Sequence, residues 1–254
     1  IGVYVVEGEA INESGKTIDI YDLNNAAGLS VGMLANATAG KTAKVTNEGT
    51  INANGDTIGM VVEDRSEGEN TGTITAKNIE ESGNVYKAIG AYINGTNAKF
   101  TNSGTISAEN IALALQGTGA NKISNSGTLK LTKTGAVGVY AKDSVVDFNI
   151  APTVAGADKT VALYASGTTK IKSQITSATG KAHIGVYAEG NAEFVSGSKV
   201  KVGNGVDDDY GIGVYTKGGY NKTVNTDIEL TGGKTIGFYL GATGGTGSTV
   251  THTG

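Results

Sequence analysis

The phrase Ile-Gly-Val-Tyr recurs along this chain at a spacing that leaves few folds open. It stands at residues 1–4, and near-identical copies follow at 137–140, 184–187 and 212–215. Looser copies occupy 58–61, 89–92, 161–164 and 236–239, with weaker ones at 31–34 and 111–114. These ten copies fall 22 to 31 residues apart, about 26 on average. A period of that size marks a solenoid, a propeller or another array of small stacked units.

Each copy reads as a strand. Ile184, Val186 and Ala188 alternate with Gly185 and Tyr187, the period-two pattern of a half-buried strand. The alternation places the first set inward and the second set outward, although the converse, with Gly and Tyr inside, obeys the same period. A second signature, Asn-x-Gly-Thr followed by Ile or Leu, stands at 47–51, 70–74, 102–106 and 125–129. Asn and Gly both tolerate positive φ, so it predicts a turn. One repeat then runs strand, short turn, strand, Asn-Gly turn, strand, loop, and no segment reads as helix. Stacked in parallel at ~4.8 Å per strand, about ten coils make an all-β parallel β-helix on the order of 50 Å long. Asn47, Asn70, Asn102 and Asn125 are expected to stack at one corner, each amide bonding the next coil.

Composition narrows the class further. Of 254 residues 40 are Gly, one is Pro and none is Cys or Trp. Gly-, Ser- and Thr-rich chains often stay disordered, but regular apolar alternation argues for a fold. A solenoid also escapes the size limit on a single core, so 1–254 reads as one domain. The net charge of −4 gives no basic footprint for nucleic acid or anionic membrane. No apolar run reaches the length of a membrane span. Without cysteine there are neither disulfides nor thiolate chemistry. Neither end carries a polar cap, so the expectation is a piece of a longer array.

These residues resemble a known family. The Gly-Val-Tyr strand paired with Asn-x-Gly-Thr-Ile is similar to the repeats of bacterial type V autotransporter passenger domains, above all the large fusobacterial outer-membrane adhesins. The resemblance covers the whole chain as a repeat style rather than a site motif. It implies a right-handed β-helix, exported through a C-terminal barrel and displayed outside the cell on the outer membrane. It also implies a role in adhesion and virulence, with partners that are host-cell glycans, protein receptors or other bacteria.

Candidate sites follow from departures from the repeat. The third coil, 56–86, carries charged excursions at 63–67 and 80–86, and an acidic insertion occupies 203–210. Recognition is usually built on loops of a rigid scaffold, which selects Arg65, Tyr86, Asp207, Asp208, Asp209 and Tyr210 as ligand-binding residues. Arg65 is the only arginine. Tyr86 and Tyr210 each end an excursion, where a ring can stack on a sugar. Tyr4, Tyr92, Tyr140, Tyr164, Tyr187, Tyr215 and Tyr239 form an outward column, read as a stabilising ladder rather than a sugar platform. Pro152 falls where other coils have the turn Gly, and so belongs in a turn or an unpaired position.

Other motifs carry less. Gly203-x-Gly205-x-Asp207 matches half of a calcium nonapeptide, which works only in tandem, so the segment reads as a solvated acidic loop. His183 and His252 lack partners at zinc spacing. The Gly-rich piece at 241–245 lacks the strand-then-helix context of a phosphate loop, and three Asn-x-Thr sequons are expected by chance. No cofactor and no catalytic residue is assigned. A monomeric, non-enzymatic adhesive stalk is the expected function. The alternative is a polysaccharide lyase or hydrolase, which needs paired carboxylates or clustered Arg and Lys in one groove. A trimeric adhesin is disfavoured by the long repeat.

Overall fold

A computed structural model describes residues 1–23, 30–117, 122–147, 152–154, 157–177, 182–203, 205 and 209–253. All regular structure among them is strand. All ten copies of the phrase form one parallel sheet, the first face of the solenoid. Its strands are Val3–Val5, Ser30–Ala35, Thr57–Val62, Ile89–Asn94, Ile111–Gln116, Val137–Lys142, Val161–Ser166, Ile184–Ala188, Gly211–Thr216 and Thr235–Leu240. The chain is a parallel β-helix, as its period predicts.

Coils in the first half have two further faces. The second comprises Gly8–Asn12, Ala43–Asn47, Ser66–Asn70, Lys99–Asn102 and Lys122–Asn125. The third runs from Thr17–Asp22 through Thr50–Gly55, Thr73–Lys77, Thr105–Ala108 and Thr128–Leu131 to Pro152–Val154. In later coils the corner between these faces gives way to long strands, Glu193–Val202 and Asn221–Leu230. Glu193–Val202 pairs with both Lys170–Ile171 and Gln174–Thr176 of the coil before.

That corner is held by the asparagine ladder where it exists. Asn47 donates through Nδ2 to Asn70 Oδ1, Asn70 to Asn102, and Asn102 to Asn125, each at 2.7 Å. Asn12 joins at 2.8 Å to Asn47, a rung hidden in the sequence because its turn reads Asn-Glu-Ser-Gly. The glycine of the signature has a different role from the expected one. Gly49, Gly72, Gly104 and Gly127 are not at positive φ. A Cβ on Gly72, Gly104 or Gly127 would lie 2.1 Å from the carbonyl oxygen of the preceding coil's equivalent glycine. The turn therefore needs glycine for close approach of two backbones, not for a left-handed conformation.

The glycine inside Ile-Gly-Val-Tyr corrects a second expectation. Strand pairing skips it: Ile89 pairs with Ile58 and Ala91 with Met60, while Gly90 and Gly59 have no partner in register. A Cβ on Gly90 would come 2.3 Å from Ile106 Cγ2 and 2.5 Å from the Ala112 carbonyl oxygen, so this position faces the interior. The irregularity turns the preceding residue outward. Val186 and Ala188 are fully buried as expected, but Ile184 is only half-buried and lies on the outside with Tyr187. Val31, Ile58 and Val61, with Leu34, Ile89 and Tyr92, accordingly form an apolar cluster of their own, apart from the core.

Pro152 also departs from its expected place. It begins the last strand of the third face, in register with Leu129. An edge strand tolerates a residue without a donor.

The core is a set of ladders. Ile51, Ile74, Ile106 and Leu129 follow one another in register on the third face, each fully buried. Tyr140, Tyr164, Tyr187, Tyr215 and Tyr239 stack on the outer side of the first face, with centroids 4.7–5.2 Å apart.

Candidate functional site

Three corners separate the faces, and the sequence departures do not share one. The 63–67 segment lies between the first and second faces and is a tight turn rather than an excursion, since Ser66 and Glu67 already belong to the strand Ser66–Asn70. Arg65 occupies the turn at φ 63°, with its Nε 3.3 Å from Asp64. Asp64 holds the next coil. Its carboxylate accepts from the backbone N–H of Asn97 at 2.9 Å, and from the N–H and hydroxyl of Thr96 at 3.2 Å. Partial burial works to raise its pKa, and these donors outweigh it and hold the carboxyl below the ordinary range. Asp143 repeats the arrangement on Thr168. The repeated clamp gives Asp64 a structural role, and Arg65 stands at a different corner of the coil from Tyr86.

The other two departures emerge at one edge, the corner that leads into the first face. The 80–86 excursion is a hairpin, Ile79–Glu81 against Asn84–Tyr86, the one antiparallel strand pair among the described residues. Its turn places Ser82 and Gly83 at positive φ. Glu80 reaches Lys133 at 2.8 Å, so the hairpin is tied to later coils. Tyr86 is half-buried at its base, in register with Ile79, while Val85 is 47% exposed.

Asp209 and Tyr210 leave the 203–210 insertion at the same edge, ahead of Gly211–Thr216. Asp207, the aspartate of the calcium half-motif, and Asp208 lie outside the described residues. Asp209 pairs with Lys159 at 2.8 Å, and Tyr210 is 48% exposed. Together with Ala182, these three residues wall a groove of about 290 Å³. Its floor is Ile184, Ile212 and Ile236, the outward isoleucines of three successive coils, and Tyr239 closes the far side. The sequence reading selected Asp209 and Tyr210 and missed the floor, because alternation had placed those isoleucines inside. The unpaired glycine after each of them was the signal.

Groove chemistry is mainly apolar. Lys159 and Asp209 satisfy each other, with Asp209 holding the lysine pKa above its ordinary value. Tyr210 and Tyr239 leave ring surface in solvent.

The tyrosine column offers no comparable surface along its length. Its rings lie 8–20° from parallel, so each interior ring spends both faces on its neighbours and turns an edge to solvent. Ala114 takes the column position between Tyr92 and Tyr140. It is nonetheless 4% exposed, and the Tyr92 hydroxyl hydrogen-bonds Gln116 Oε1 at 2.8 Å, so this step presents no open slot.

On the opposite side, the long strands carry a charged depression lined by Lys199, Asp227, Ile228, Glu229 and His252. Glu229 lies 2.8 Å from Lys199 and 2.6 Å from Lys201. Hydrogen bonds from the two lysines push its pKa down to about 2, and Glu229 in turn raises that of Lys199. His252 Nε2 is 2.9 Å from the Thr226 carbonyl oxygen. A carboxylate so tightly held is a weak base, and a lysine so paired stays protonated, so this arrangement suits an ion-pair network better than proton transfer.

Comparison with known proteins places the repeat. No curated protein and no solved structure matches the chain. Residues 3–149, more than half of the sequence, match the BigA third pectate lyase-like domain. That match supports a passenger-like domain of a bacterial surface protein and carries no fusobacterial assignment. Spanning the first half of the solenoid and its asparagine ladder, it makes this chain a member of the family of the BigA third pectate lyase-like domain.

Proposed function

We propose that this segment is a non-enzymatic adhesive stalk, displayed at the outer surface of a bacterium and binding host cells or other bacteria. The observation that carries the reading is the concentration of departures at one edge of a regular rod. The 79–86 hairpin, Asp209 and Tyr210 at the end of the insertion, and the isoleucine groove all lie there. Elsewhere on the described surface, the tyrosine ladder and ion pairs between coils hold the coils together. Binding on such a scaffold needs only exposed rings and apolar floor, whereas catalysis needs a group of matched pKa free to move a proton.

Beads coated with the purified chain are expected to attach to epithelial cells or bacteria above the level of albumin-coated beads. Attachment no higher than the albumin control overturns adhesion by this segment. The pectate lyase-like family name makes a second measurement worthwhile. Incubation with pectin and other uronate polymers, followed by the absorbance of new unsaturated ends, is expected to show no turnover. Turnover that disappears on Lys199→Ala would place chemistry in the charged depression.

A further inference from the structure

We propose that His183 is a proton-driven latch: in mild acid its buried imidazole takes up a proton, and the corner that carries Asp209, Tyr210 and the isoleucine groove opens while the earlier coils stay folded. His183 is 1% exposed and ties three coils together. Its Nδ1 lies 2.8 Å from Thr160 Oγ1 in the coil before. Its carbonyl accepts from the Ile212 N–H of the coil after, at 2.8 Å. Its Nε2 is buried and has no hydrogen-bond partner. On either side of it in the chain stand Ala182 of the groove wall and Ile184 of the groove floor.

Only the neutral ring suits this setting. Once protonated, both nitrogens are donors. Thr160 Oγ1 can accept from one of them, and nothing accepts from the other. A buried charge without its hydrogen bonds is costly, and solvent supplies the missing acceptor when the corner opens. The backbone is strained at the same place. Lys159, Ala182 and Lys234, each leading into a strand of the first face, all hold φ 53° without being glycine, a conformation that opening relaxes. Among the described residues, the charged groups bordering the corner are Asp158 and Lys159 in the coil before, and Asp209 and Lys234 in the coils after. Lys159 and Asp209 answer each other at 2.8 Å. Burial holds the closed-state pKa of His183 below its ordinary 6.5, against the pull of Asp158.

Opening stays local because each coil is held by its neighbours only. The asparagine ladder of the earlier coils, from Asn12 to Asn125, is built of amides that do not titrate. The open corner returns His183 to its ordinary 6.5, so below that pH the open form binds more protons than the closed one. Opening is therefore favoured as pH falls from 6.5 toward the closed-state value, by up to about tenfold per pH unit, and is unaffected above it. Where the edge binds as proposed above, mild acid releases what it holds. That consequence rests on the adhesive reading, whereas the latch does not.

Hydrogen exchange followed by NMR between about pH 8 and pH 5 tests it. Protection of the Ile212 N–H is expected to fall by up to about tenfold per pH unit below about pH 6.5. Protection of the Thr105 N–H, bonded to the Gly72 carbonyl at 2.9 Å in the earlier coils, should hold. The fall should follow the titration of the His183 ring protons, told apart from those of His252, the other histidine, by His252→Asn. His183→Gln, neutral at every pH, should abolish it. Should that variant fail to fold, ring titration and exchange in the unaltered chain suffice. Four results overturn the proposal: protection at Ile212 that ignores pH, an equal loss at Thr105, a loss that survives His183→Gln, or a loss that tracks His252 instead. No ligand enters this experiment, so failure of the latch is distinct from failure of adhesion, which shows as absent attachment at neutral pH.

Discussion

Replacing Asn70 by Ala cuts the amide ladder at its middle. Asn70 Oδ1 accepts from Asn47 Nδ2, and its own Nδ2 donates to Asn102 Oδ1, both at 2.7 Å. All three residues are fully buried. The substitution removes two hydrogen bonds worth about 1 kcal/mol each and leaves the Asn102 acceptor without this donor, a further ~1–3 kcal/mol. The expected loss is about 3–5 kcal/mol. Asn47 retains a longer bond to the Thr73 carbonyl at 3.3 Å, which keeps the figure from rising further. Asn52→Ala is the matched control. Its Nδ2 donates to Asp19 Oδ1 at the same 2.7 Å, but on an exposed face, where loss of the bond should cost about 0.5 kcal/mol or less. Urea unfolding followed by circular dichroism measures both. If the two variants shift the midpoint equally, burial does not set the strength of the ladder and the reasoning fails.

Four further expectations concern orientation and charge. Val186→Asp, which buries a charge among core ladders, should cost on the order of 3–5 kcal/mol, whereas Lys142→Ala should change stability by less than about 0.5 kcal/mol. Ile184→Lys, on the outer face, should stay near ~1 kcal/mol or below, and a loss matching that of Val186→Asp would restore the simple alternation. Because Glu229 titrates near 2 in the fold against an ordinary 4.5, its contribution is complete above about pH 4.5 and is lost as pH falls toward 2; Glu229→Gln should flatten that part of a pH–stability curve. His183 is held below its ordinary 6.5, chiefly by burial and against the opposing charge of Asp158. The unfolded chain therefore binds more protons below that pH, stability falls as the solution is acidified through it, and His183→Gln should remove this slope.

The period of the sequence made the fold legible, because a solenoid writes its architecture once per coil. The asparagine ladder was legible for the same reason, apart from Asn12, whose altered turn hides the signature. What stayed hidden depended on contacts between coils. Gly72 and Gly104 are required by a neighbouring backbone, and one repeat read alone cannot show a neighbour. The outward isoleucines were hidden because strict alternation assumes an unbroken strand, and the unpaired glycine breaks it. The candidate site was half legible. Departure from the repeat pointed to Asp209, Tyr210 and Tyr86, but it also pointed to Arg65, whose turn is a structural clamp. Lys159 gave no local sign, since its pairing with Asp209 bridges coils distant in sequence.

The most direct measurement compares attachment by two variants of equal stability. In the first, the 79–86 hairpin is shortened to a tight turn and Tyr210 and Ile212 are replaced by Ser and Lys. In the second, Lys199, Lys201, Asp227 and Glu229 on the charged side are all replaced by Ser. Beads carrying the first should lose most of their attachment to cells or bacteria, and beads carrying the second should bind as the unaltered chain does. Unchanged attachment by the first variant, or loss confined to the second, would contradict the assignment of binding to the hairpin-and-groove edge.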